Sequence, residues 1–283
     1  MILENNNSVI FTTQLASDVN ALLQGVSSEQ LFILTDEHSK HHCLSLLQSE
    51  GQLLNAKVYT MPCGDDHKTI ETVMNIWQFL GQQGATRQAV LINLGGGVVT
   101  DLGGFVANTF KRGIRFINIP TTLLSMVDAA VGGKTGINFN GLKNEIGVIN
   151  PAQQVVIYTD FLRTLDTQNL LSGYAEMLKH GLLSSHQEMT LLGSFDAFNP
   201  DFALLATLIQ SSIAIKANIV AQDPTEKGIR KALNLGHTIG HAFESYSHAT
   251  GRPILHGYAV AWGLIGELFL SHKLQGFPQS VLL

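Results

Sequence analysis

Glycine and charged residues are concentrated between Leu94 and Asn144, where the sequence reads LGGGVVTDLGGFVANTFKRGIRFINIPTTLLSMVDAAVGGKTGINFNGLKN. Its two glycine clusters, 95–97 and 132–133, let the backbone approach a ligand closely, and cations beside such backbone usually bind phosphate or carboxylate. The glycine clusters lie close in sequence to a set of charged or amide side chains, Asp101, Arg112, Asp128, Lys134, Lys143 and Asn144. The segment therefore predicts the floor of an anion-binding active site with a dinucleotide above it.

The triple glycine follows an apolar strand predicted over 89–94, an arrangement that suits a pyrophosphate loop at the start of a helix. It is not the G-x-G-x-x-G fingerprint, and a tight turn without a ligand explains it equally well. Polar residues after other predicted strands can be explained in two ways as well. Asp36 is either a ribose ligand or a helix N-cap, and Asp65 and Lys68 are either cofactor ligands or part of a solvated turn. Thr121 and Thr122 are either ligands or another N-cap.

A second group of residues has the types that bind a metal ion. One carboxylate with two imidazoles leaves a fourth position open, which is typical of catalytic zinc. The spacing nominates His237 with His241, four residues apart, or equally Glu176 with His180, and the later His256 lies in a predicted Pro-bearing loop. With 11 histidines in the chain, accidental pairs are common, so spacing alone leaves the ligand set open.

Other polar residues can be explained by an ordinary structural role as well as by a functional one. Asn234 stands three residues before His237 and is expected on the same helical face. Glu226 and Arg230, four apart, suit a surface ion pair. Lys216, in the apolar stretch SSIAIKANIVA, either extends to solvent or points into a polar cleft.

Two kinds of periodicity position these residues. Up to about residue 160, short apolar strands alternate with helical patterns, which predicts a parallel sheet with ligands at the carboxyl ends of its strands. The predicted strands are 30–35, 56–61, 89–94, 116–119 and 154–158, and a helix over 70–83 should bury Ile70, Val73, Trp77 and Leu80. After about Leu165 the patterns are helical, over 170–183, 202–222, 231–247 and 257–273, so we expect two domains that share a cleft.

Composition narrows the class of protein. Charged residues are 14% of the chain, against about 25% in typical soluble domains, which favours surface buried against another subunit and hence a homodimer. The net charge of −5 argues against nucleic-acid binding. Cys43 and Cys63 form no metal or redox motif, Met1 to Thr13 has no signal-peptide pattern, and the apolar stretch 258–270 is too short to span a bilayer. A soluble, cytoplasmic protein is expected.

Seven ordered motifs resemble the 3-dehydroquinate synthase family of sugar-phosphate cyclases, from about Asp36 to the C-terminus. They are GGGVVTDLGGF, KRG, PTTLLSMVDAAVGGKTGIN, GLKN, YAEMLKHG, DPTEKGIRKALNLGHTIGHAFE and the later HG. The resemblance implies a Rossmann-like α/β domain over 1–164 that binds NAD, and an all-α metal- and substrate-binding domain over 165–283.

The resemblance also implies roles for residues. Zinc, or cobalt in its place, would be held by Glu176, His237 and His256, with His241 on the substrate side rather than a ligand. NAD would contact Asp36, Asp65, Lys68, Gly96, Gly97, Val98, Asp101, Thr121 and Thr122, with Lys134, Lys143 and Thr164 at the junction of cofactor and substrate. The substrate would be surrounded by Arg112, Asp128, Lys134, Lys143, Asn144, Lys179, Lys216, Arg230, Asn234 and His241, with Glu226 nearby.

The implied reaction converts 3-deoxy-D-arabino-heptulosonate 7-phosphate to 3-dehydroquinate and phosphate. It comprises transient oxidation by NAD, elimination of phosphate, return of the hydride, ring opening and aldol closure, so the enzyme is a lyase. The alternatives are another sugar-phosphate cyclase, such as 2-deoxy-scyllo-inosose synthase, a metal-dependent polyol dehydrogenase, or an inactive chain that still binds NAD.

Two departures from the family pattern stand out. Thr100 replaces a glycine of the usual GGGVIGD loop, which is tolerable if its φ is negative. Family members also continue for roughly 60–70 residues beyond the position of Val281-Leu282-Leu283, so the C-terminal part of the helical domain is expected to be missing here.

Overall fold

The structure, a computed structural model, describes residues 9–279. Its contacts divide the chain into two compact units, Met1–Thr164 and Leu165–Leu283. The predicted lack of a signal peptide rests largely on residues 1–8, and the predicted early end of the chain rests on residues 281–283. Both of these lie outside the described residues.

The first unit is built on a six-stranded sheet in which every neighbouring pair of strands is parallel. Its strands are β1 (Val9–Phe11), β2 (Leu31–Asp36), β3 (Lys57–Met61), β4 (Val90–Gly95), β5 (Arg115–Pro120) and β8 (Gln154–Ile157), in the order β1-β8-β5-β4-β2-β3. The five predicted strands are confirmed, with small shifts of their ends. Strand β1 was not predicted, because three residues are too few to show a period.

Helices connect these strands. They are α1 (Leu15–Leu22), α2 (Glu37–His42), α3 (Leu44–Leu47), α4 (Ile70–Gln82), α5 (Gly97–Thr109) and a π-helical turn at Ser125–Ala129. Helix α4 forms where it was predicted, but its buried apolar residues are Val73, Ile76 and Leu80. Ile70 and Trp77, which were also expected to be buried, are only partly buried.

A β-hairpin, β6 (Lys134–Phe139) and β7 (Leu142–Ile149), interrupts the alternation and was missed. Its two-residue turn is Asn140-Gly141, with φ of 51° and 76°. Asn-Gly with positive φ at both positions is the preferred hairpin turn, since its twist matches that of the strands. The signal was therefore present in the sequence.

The second unit consists of helices, as predicted. They are α6 (Thr167–Leu182), α7 (His186–Gly193), α8 (Phe202–Gln222), α9 (His237–Ala249) and α10 (His256–Gln275). Side chains of Asp166, Ser185 and Asp201 accept backbone N–H groups at the starts of α6, α7 and α8. Such caps satisfy donors that have no partner within the helix.

Two expectations about this unit were wrong. The helix predicted over 231–247 is broken: a 3-10 segment, Ile229–Asn234, precedes α9, and Gly236 between them has a φ of 80°. Asn234 consequently does not share a helical face with His237. His256 is not a loop residue either, because it is the first residue of α10.

Helix α8 is, within residues 9–279, the one helix long and apolar enough to cross a membrane by length and composition alone. The sequence prediction had considered only the shorter stretch 258–270. Core helices of globular proteins pass the same test, and Leu205, Leu208, Ile209 and Ile213 of α8 are buried.

Close packing of α5 on β4 generates a stability prediction. A Cβ added to Gly103 would lie 2.1 Å from Oδ1 of Asn93, a buried side chain whose Nδ2 donates to Asn118 at 2.9 Å. Gly103→Ala should therefore lower the free energy of unfolding by about 2–3 kcal/mol in denaturant titrations. Gly81→Ala is the matched control, because Gly81 is helical with open space around it; it should raise stability by about 0.5–1 kcal/mol. Equal effects at both positions would contradict this packing argument.

Candidate active site

The carboxyl ends of β2, β4 and β5 gather the first set of candidate residues. Strand β2 leads outward to β3, whereas the chain returns to β4 on the other side of β2 and continues to β5. This reversal is a topological switch point, where open α/β sheets bind their ligands. Asp36 is the last residue of β2, and Gly96 and Thr121 directly follow β4 and β5 there.

The three glycines after β4 differ in what requires them. A Cβ on Gly95 would lie 2.5 Å from Val99, so close packing disfavours a side chain there, and one on Gly97 would make a tight contact of 3.1 Å with Ala129. Gly96 has a φ of −71°, and its Cβ would make only an ordinary contact of 3.4 Å with Thr122. Neither backbone conformation nor packing requires glycine at position 96. The close approach of a ligand to the N-terminus of α5 does explain it.

Several N-cap alternatives considered in the sequence are realised. Asp36 Oδ1 accepts the Ser39 backbone N–H at 2.7 Å, and Thr122 Oγ1 accepts that of Ser125 at 3.2 Å. Thr121 lies within hydrogen-bond distance of the Ser39 hydroxyl, at 3.2 Å. Thr100 and Val98 lie in the first turn of α5, and Thr100 donates to the Gly97 carbonyl at 3.2 Å. Thr100 is therefore accommodated as a helical residue.

Lys68 is the centre of a polar cluster that we call the Lys68 cluster (Asp65, Lys68, Asp101, Asn138, Lys143 and Asn144). Its ammonium group donates to Asp101 Oδ2 at 2.6 Å and to Asn144 Oδ1, and only 4% of the residue is exposed. The interpretation of Lys68 as part of a solvated turn is therefore wrong. Because Asp101 lies on α5 and Asn144 on β7, one cation connects the helix after the glycine loop to the hairpin.

Asp65 and Asn138 extend the Lys68 cluster. Asp65 Oδ2 accepts from Asn138 Nδ2 at 3.0 Å and lies 3.3 Å from Lys143 Nζ, while Asn138 Oδ1 accepts the Asn144 N–H at 3.0 Å. The φ of Asn144 is 54°, a strained value that this bond supports. Asn138 was missed as a site residue, although it occurs in the quoted motif PTTLLSMVDAAVGGKTGIN.

The remaining candidates of the first unit lie outside the Lys68 cluster. Arg112 is exposed between α5 and β5, in a run with Lys111 and Gly113 whose φ angles are 68°, 50° and 111°. Asp128 belongs to the π-helical turn, Lys134 is exposed at the start of β6, and Thr164 ends a 3-10 segment.

In the second unit, α6, α9 and α10 bring Glu176, His237 and His256 together. Oε1 of Glu176 lies 3.5 Å from Nε2 of His237 and 3.5 Å from Nε2 of His256. Ligand atoms around a tetrahedral zinc ion, with bonds of about 2.0–2.1 Å, are separated by ~3.3 Å. Both separations from Oε1 of Glu176 therefore suit ligand atoms around one small cation, and Glu176 itself is fully buried.

The Nδ1 atoms of His237 and His256 each lie near an oxygen atom of the protein. His237 Nδ1 lies 3.2 Å from the Leu235 carbonyl, and His256 Nδ1 lies 3.5 Å from Oε2 of the buried Glu244. An Nδ1–H directed at a carbonyl or carboxylate orients the ring and leaves Nε2 available to a metal. Glu244 was missed, although its position seven residues after His237 on α9 was a usable signal.

The two imidazoles have opposite pKa shifts. Burial lowers the pKa of His237 despite the opposing attraction of Glu176. Burial also acts to lower that of His256, but hydrogen bonds to Glu176 and Glu244 outweigh it and raise the pKa to about 9. A metal ion bound at this site therefore has to displace the proton of His256.

His241 is close to this group but exposed. Its ring centroid lies 5.3 Å from that of His237 and 5.8 Å from that of His256, and these three histidines form a possible metal-binding group. The pair of His237 and His241 nominated by spacing is thus brought together as well. Glu176 and His241, the two candidates for the ligand beside His237 and His256, differ in burial. Glu176 is a buried carboxylate that needs positive charge nearby, whereas His241 can extend to solvent.

Buried cations accompany the metal candidates. Lys179 is 1% exposed and pairs with Oε2 of Glu176, and Lys216 of α8 is 6% exposed, so Lys216 does not extend to solvent. The other nominated partner of Glu176, His180, has its Nδ1 2.7 Å from the Ser212 hydroxyl. A ligand atom of His180 also lies within 4.8 Å of one of Glu176, so this second pair nominated by spacing is brought together too.

The segment after α8 is organised by Asp223, another residue missed in the sequence. Its carboxylate accepts backbone N–H groups of Lys227, Gly228 and Arg230 at 3.0, 2.6 and 3.1 Å. The buried Arg230 donates to the Pro224 carbonyl at 2.7 Å. Glu226 Oε1 accepts from Asn234 Nδ2 at 3.0 Å, which brings these two predicted residues together.

Solved structures first define the fold. A 2-deoxy-scyllo-inosose synthase, solved with carbaglucose-6-phosphate, NAD+ and Co2+, matches with a TM-score of 0.83 and 24% identity, over 97% of this chain and 75% of its own. A 2-epi-5-epi-valiolone synthase from Streptomyces hygroscopicus, with NAD+ and Zn2+, matches with a TM-score of 0.75 and 24% identity, over 98% and 81%. The fold is that of the dehydroquinate synthase-like sugar-phosphate cyclases.

Sequence comparison then gives the family. The model of the 3-dehydroquinate synthase N-terminal region matches residues 58–172, and that of the C-terminal region matches residues 173–282. A 3-dehydroquinate synthase from Parabacteroides distasonis is 51% identical over 98% of this chain and 79% of its own length. One from Pyrococcus furiosus is 40% identical over 92% and 76%. The chain belongs to the 3-dehydroquinate synthase family.

The Lys68 cluster generates a second stability prediction. Lys68→Met should lower the free energy of unfolding by about 2 kcal/mol, because it leaves the largely buried Asp101 without its cation. In a double-mutant cycle, Asp101→Asn in the same chain should recover part of that loss. Arg163→Met removes a cation from an exposed pair with Asp160 and should change stability by less than about 0.5 kcal/mol. Strict additivity of Lys68→Met and Asp101→Asn would exclude the coupling.

Proposed function

We propose that this protein is a 3-dehydroquinate synthase, which converts 3-deoxy-D-arabino-heptulosonate 7-phosphate to 3-dehydroquinate and inorganic phosphate with NAD and a divalent metal ion. The observation that carries the proposal is the meeting of Glu176, His237 and His256 at metal-ligand separations in a member of this family. The proposal places the protein in the shikimate pathway of aromatic amino-acid biosynthesis.

Glu176, His237 and His256 would hold the metal ion, zinc or cobalt. A divalent ion at such a site lowers the pKa of a bound hydroxyl and so favours its oxidation. The chain's own contribution is to present one buried carboxylate and two oriented imidazoles, with Glu244 fixing the ring of His256. His241, exposed beside them, would bind the substrate or move a proton at its ring nitrogens.

NAD would lie at the switch point of the first unit and would supply a reversible acceptor for one hydride there. The N-terminus of α5 at Gly96, Gly97 and Val98 would bind the pyrophosphate, because its free N–H groups favour anions and position 96 is open to a ligand. The other proposed contacts are Asp36, Asp65, Lys68, Asp101, Thr121, Thr122 and Thr164. Asp36 caps α2 through Oδ1, so Oδ2 would serve the ribose.

Cations and amides would bind the substrate's phosphate and carboxylate. Lys179, Lys216 and Arg230 are buried, and a buried cation binds an anion more strongly than an exposed one does. The other residues proposed for substrate binding are Arg112, Asp128, Lys134, Lys143, Asn144, Glu226 and Asn234. The hydrogen bond between Asn234 and Glu226 would hold the amide in place.

A homodimer and a cytoplasmic location are further parts of the proposal. The low content of charged residues supports the homodimer, and two free cysteines without a metal or redox motif support the cytoplasmic location. The net charge of −5 remains the ground for expecting no nucleic-acid partner, and no membrane partner is expected. Light scattering coupled to gel filtration measures the oligomeric state directly.

The proposed activity is tested by measuring phosphate release, 3-dehydroquinate formation and NADH accumulation in the same reaction. With NAD and zinc, the protein should release one phosphate for each 3-dehydroquinate formed, and NADH should not accumulate because the hydride returns to the product. Steady accumulation of NADH would favour a polyol dehydrogenase. Release of phosphate from a hexose phosphate instead of the seven-carbon acid would favour another cyclase, and NAD binding without any phosphate release would favour an inactive chain.

The ligand set is tested by zinc content. His237→Ala and His256→Ala should each lower bound zinc to well below one per chain, because each leaves two protein ligands. His241→Ala should retain zinc while turnover falls by about 10²–10⁴-fold, the usual contribution of a positioned proton-transfer group. Equal zinc loss in His237→Ala and His241→Ala, with His256→Ala unaffected, would instead support the pair suggested by spacing.

A further inference from the structure

Helix α9 begins without a cap of its own. Its N-cap residue is Gly236, which has no side chain to accept a hydrogen bond from the first turn. The N–H groups at a helix start have no partners within the helix and need acceptors from elsewhere. The next residue, His237, is one of the proposed metal ligands, so the order of this turn bears directly on the site.

A carboxylate from another helix supplies the missing cap. Glu267 of α10 accepts the Gly236 N–H through Oε2 at 2.7 Å and the Ile239 N–H through Oε1 at 3.2 Å. In a capping box these two donors, at the N-cap and three residues later, are satisfied by two side chains of the same helix. Here one carboxylate satisfies both, and its charge suits the positive end of the helix dipole.

Backbone contact between α9 and α10 brings Glu267 within reach. A Cβ on Gly263 would lie 1.9 Å from the Gly236 carbonyl oxygen, and one on Gly240 would lie 2.9 Å from the Ala259 carbonyl oxygen. These pairs show that the two helices run antiparallel and in close contact. The two hydrogen bonds to one carboxylate then connect α10 to the first turn of α9 at this contact.

We propose that Glu267 is a positioning residue for the metal centre: by capping α9 from α10, it fixes His237, at the start of α9, relative to His256, at the start of α10. This inference rests on the metal site proposed above. The two bonds bracket His237 in the chain, and Glu267 lies eleven residues, or three turns, after His256 on the same helix. Without the cap, the first turn of α9 frays and Nε2 of His237 is no longer held near Glu176.

The test measures zinc affinity by competition with a chromophoric chelator. Glu267→Ala should raise the zinc dissociation constant by about 10–100-fold, the usual effect of removing an outer-shell partner. Glu267→Gln, which keeps one acceptor oxygen, should have an intermediate effect. With Co2+ in place of zinc, the visible absorption of both variants should shift or weaken, because the geometry of the ligands has changed.

Asp201→Ala provides the matched control. Asp201 also accepts two N–H groups at a helix start in the same unit, from Ala203 at 2.9 Å and Leu204 at 3.2 Å, but its helix, α8, carries none of the three proposed ligands. This variant should lower the Tm about as much as Glu267→Ala and leave the zinc dissociation constant within twofold of the original.

The outcomes separate this inference from the proposed function. If the unmodified protein binds no zinc, the metal centre and the role of Glu267 both fail. If it binds zinc, and Glu267→Ala and Asp201→Ala have the same affinity at similar Tm, only the role of Glu267 is overturned. If Glu267→Ala does not fold, Glu267→Gln decides by the same comparison.

Discussion

The organisation of the second unit depends on the burial of one carboxylate. Glu176 is fully removed from solvent, and an isolated charge in that position would be strongly unfavourable. Compensation comes from Lys179, one turn along α6, and from the imidazoles of His237 and His256 at 3.5 Å. Because these imidazoles stand at the first positions of α9 and α10, the starts of two helices have to converge on one oxygen atom. The glycine contacts between α9 and α10 make that convergence sterically possible.

In the first unit the buried charge that needs compensation is a cation rather than a carboxylate. Lys68 is held by Asp101 and Asn144, and so joins a loop, a helix and a hairpin that the sheet alone does not connect. The strand order brings Asp36 and Gly96 to the same edge without any side-chain interaction. Backbone topology thus positions the groups suited to a nucleotide, whereas buried ionic contacts position the hairpin with Lys143 and Asn144.

Local patterns in the sequence predicted the fold well and the supporting contacts poorly. The apolar run 89–94 before the triple glycine has one structural solution, a buried parallel strand, and the structure confirms it. The break at Gly236 escaped periodicity because Asn234, His237 and His241 fit a helical spacing whether or not the helix is continuous. Spacing could not choose among metal ligands either, since Glu176, His237 and His256 come from three helices. The remote partners Glu244 and Glu267 depend on the packing of α10 against α9, which no single segment encodes.

The ion pair at Lys68 also constrains how this sequence can change. Lys68 and Asp101 are far apart in the chain, yet 2.6 Å separates their charged atoms and only one of the two side chains is appreciably exposed. A neutral residue at either position leaves the opposite charge without its main partner, so the first step of any exchange passes through a destabilised protein. Paired replacement avoids that state only if both changes occur together. Proteins descending from this chain should therefore retain both residues or replace both. Positions 68 and 101 should consequently covary among such sequences.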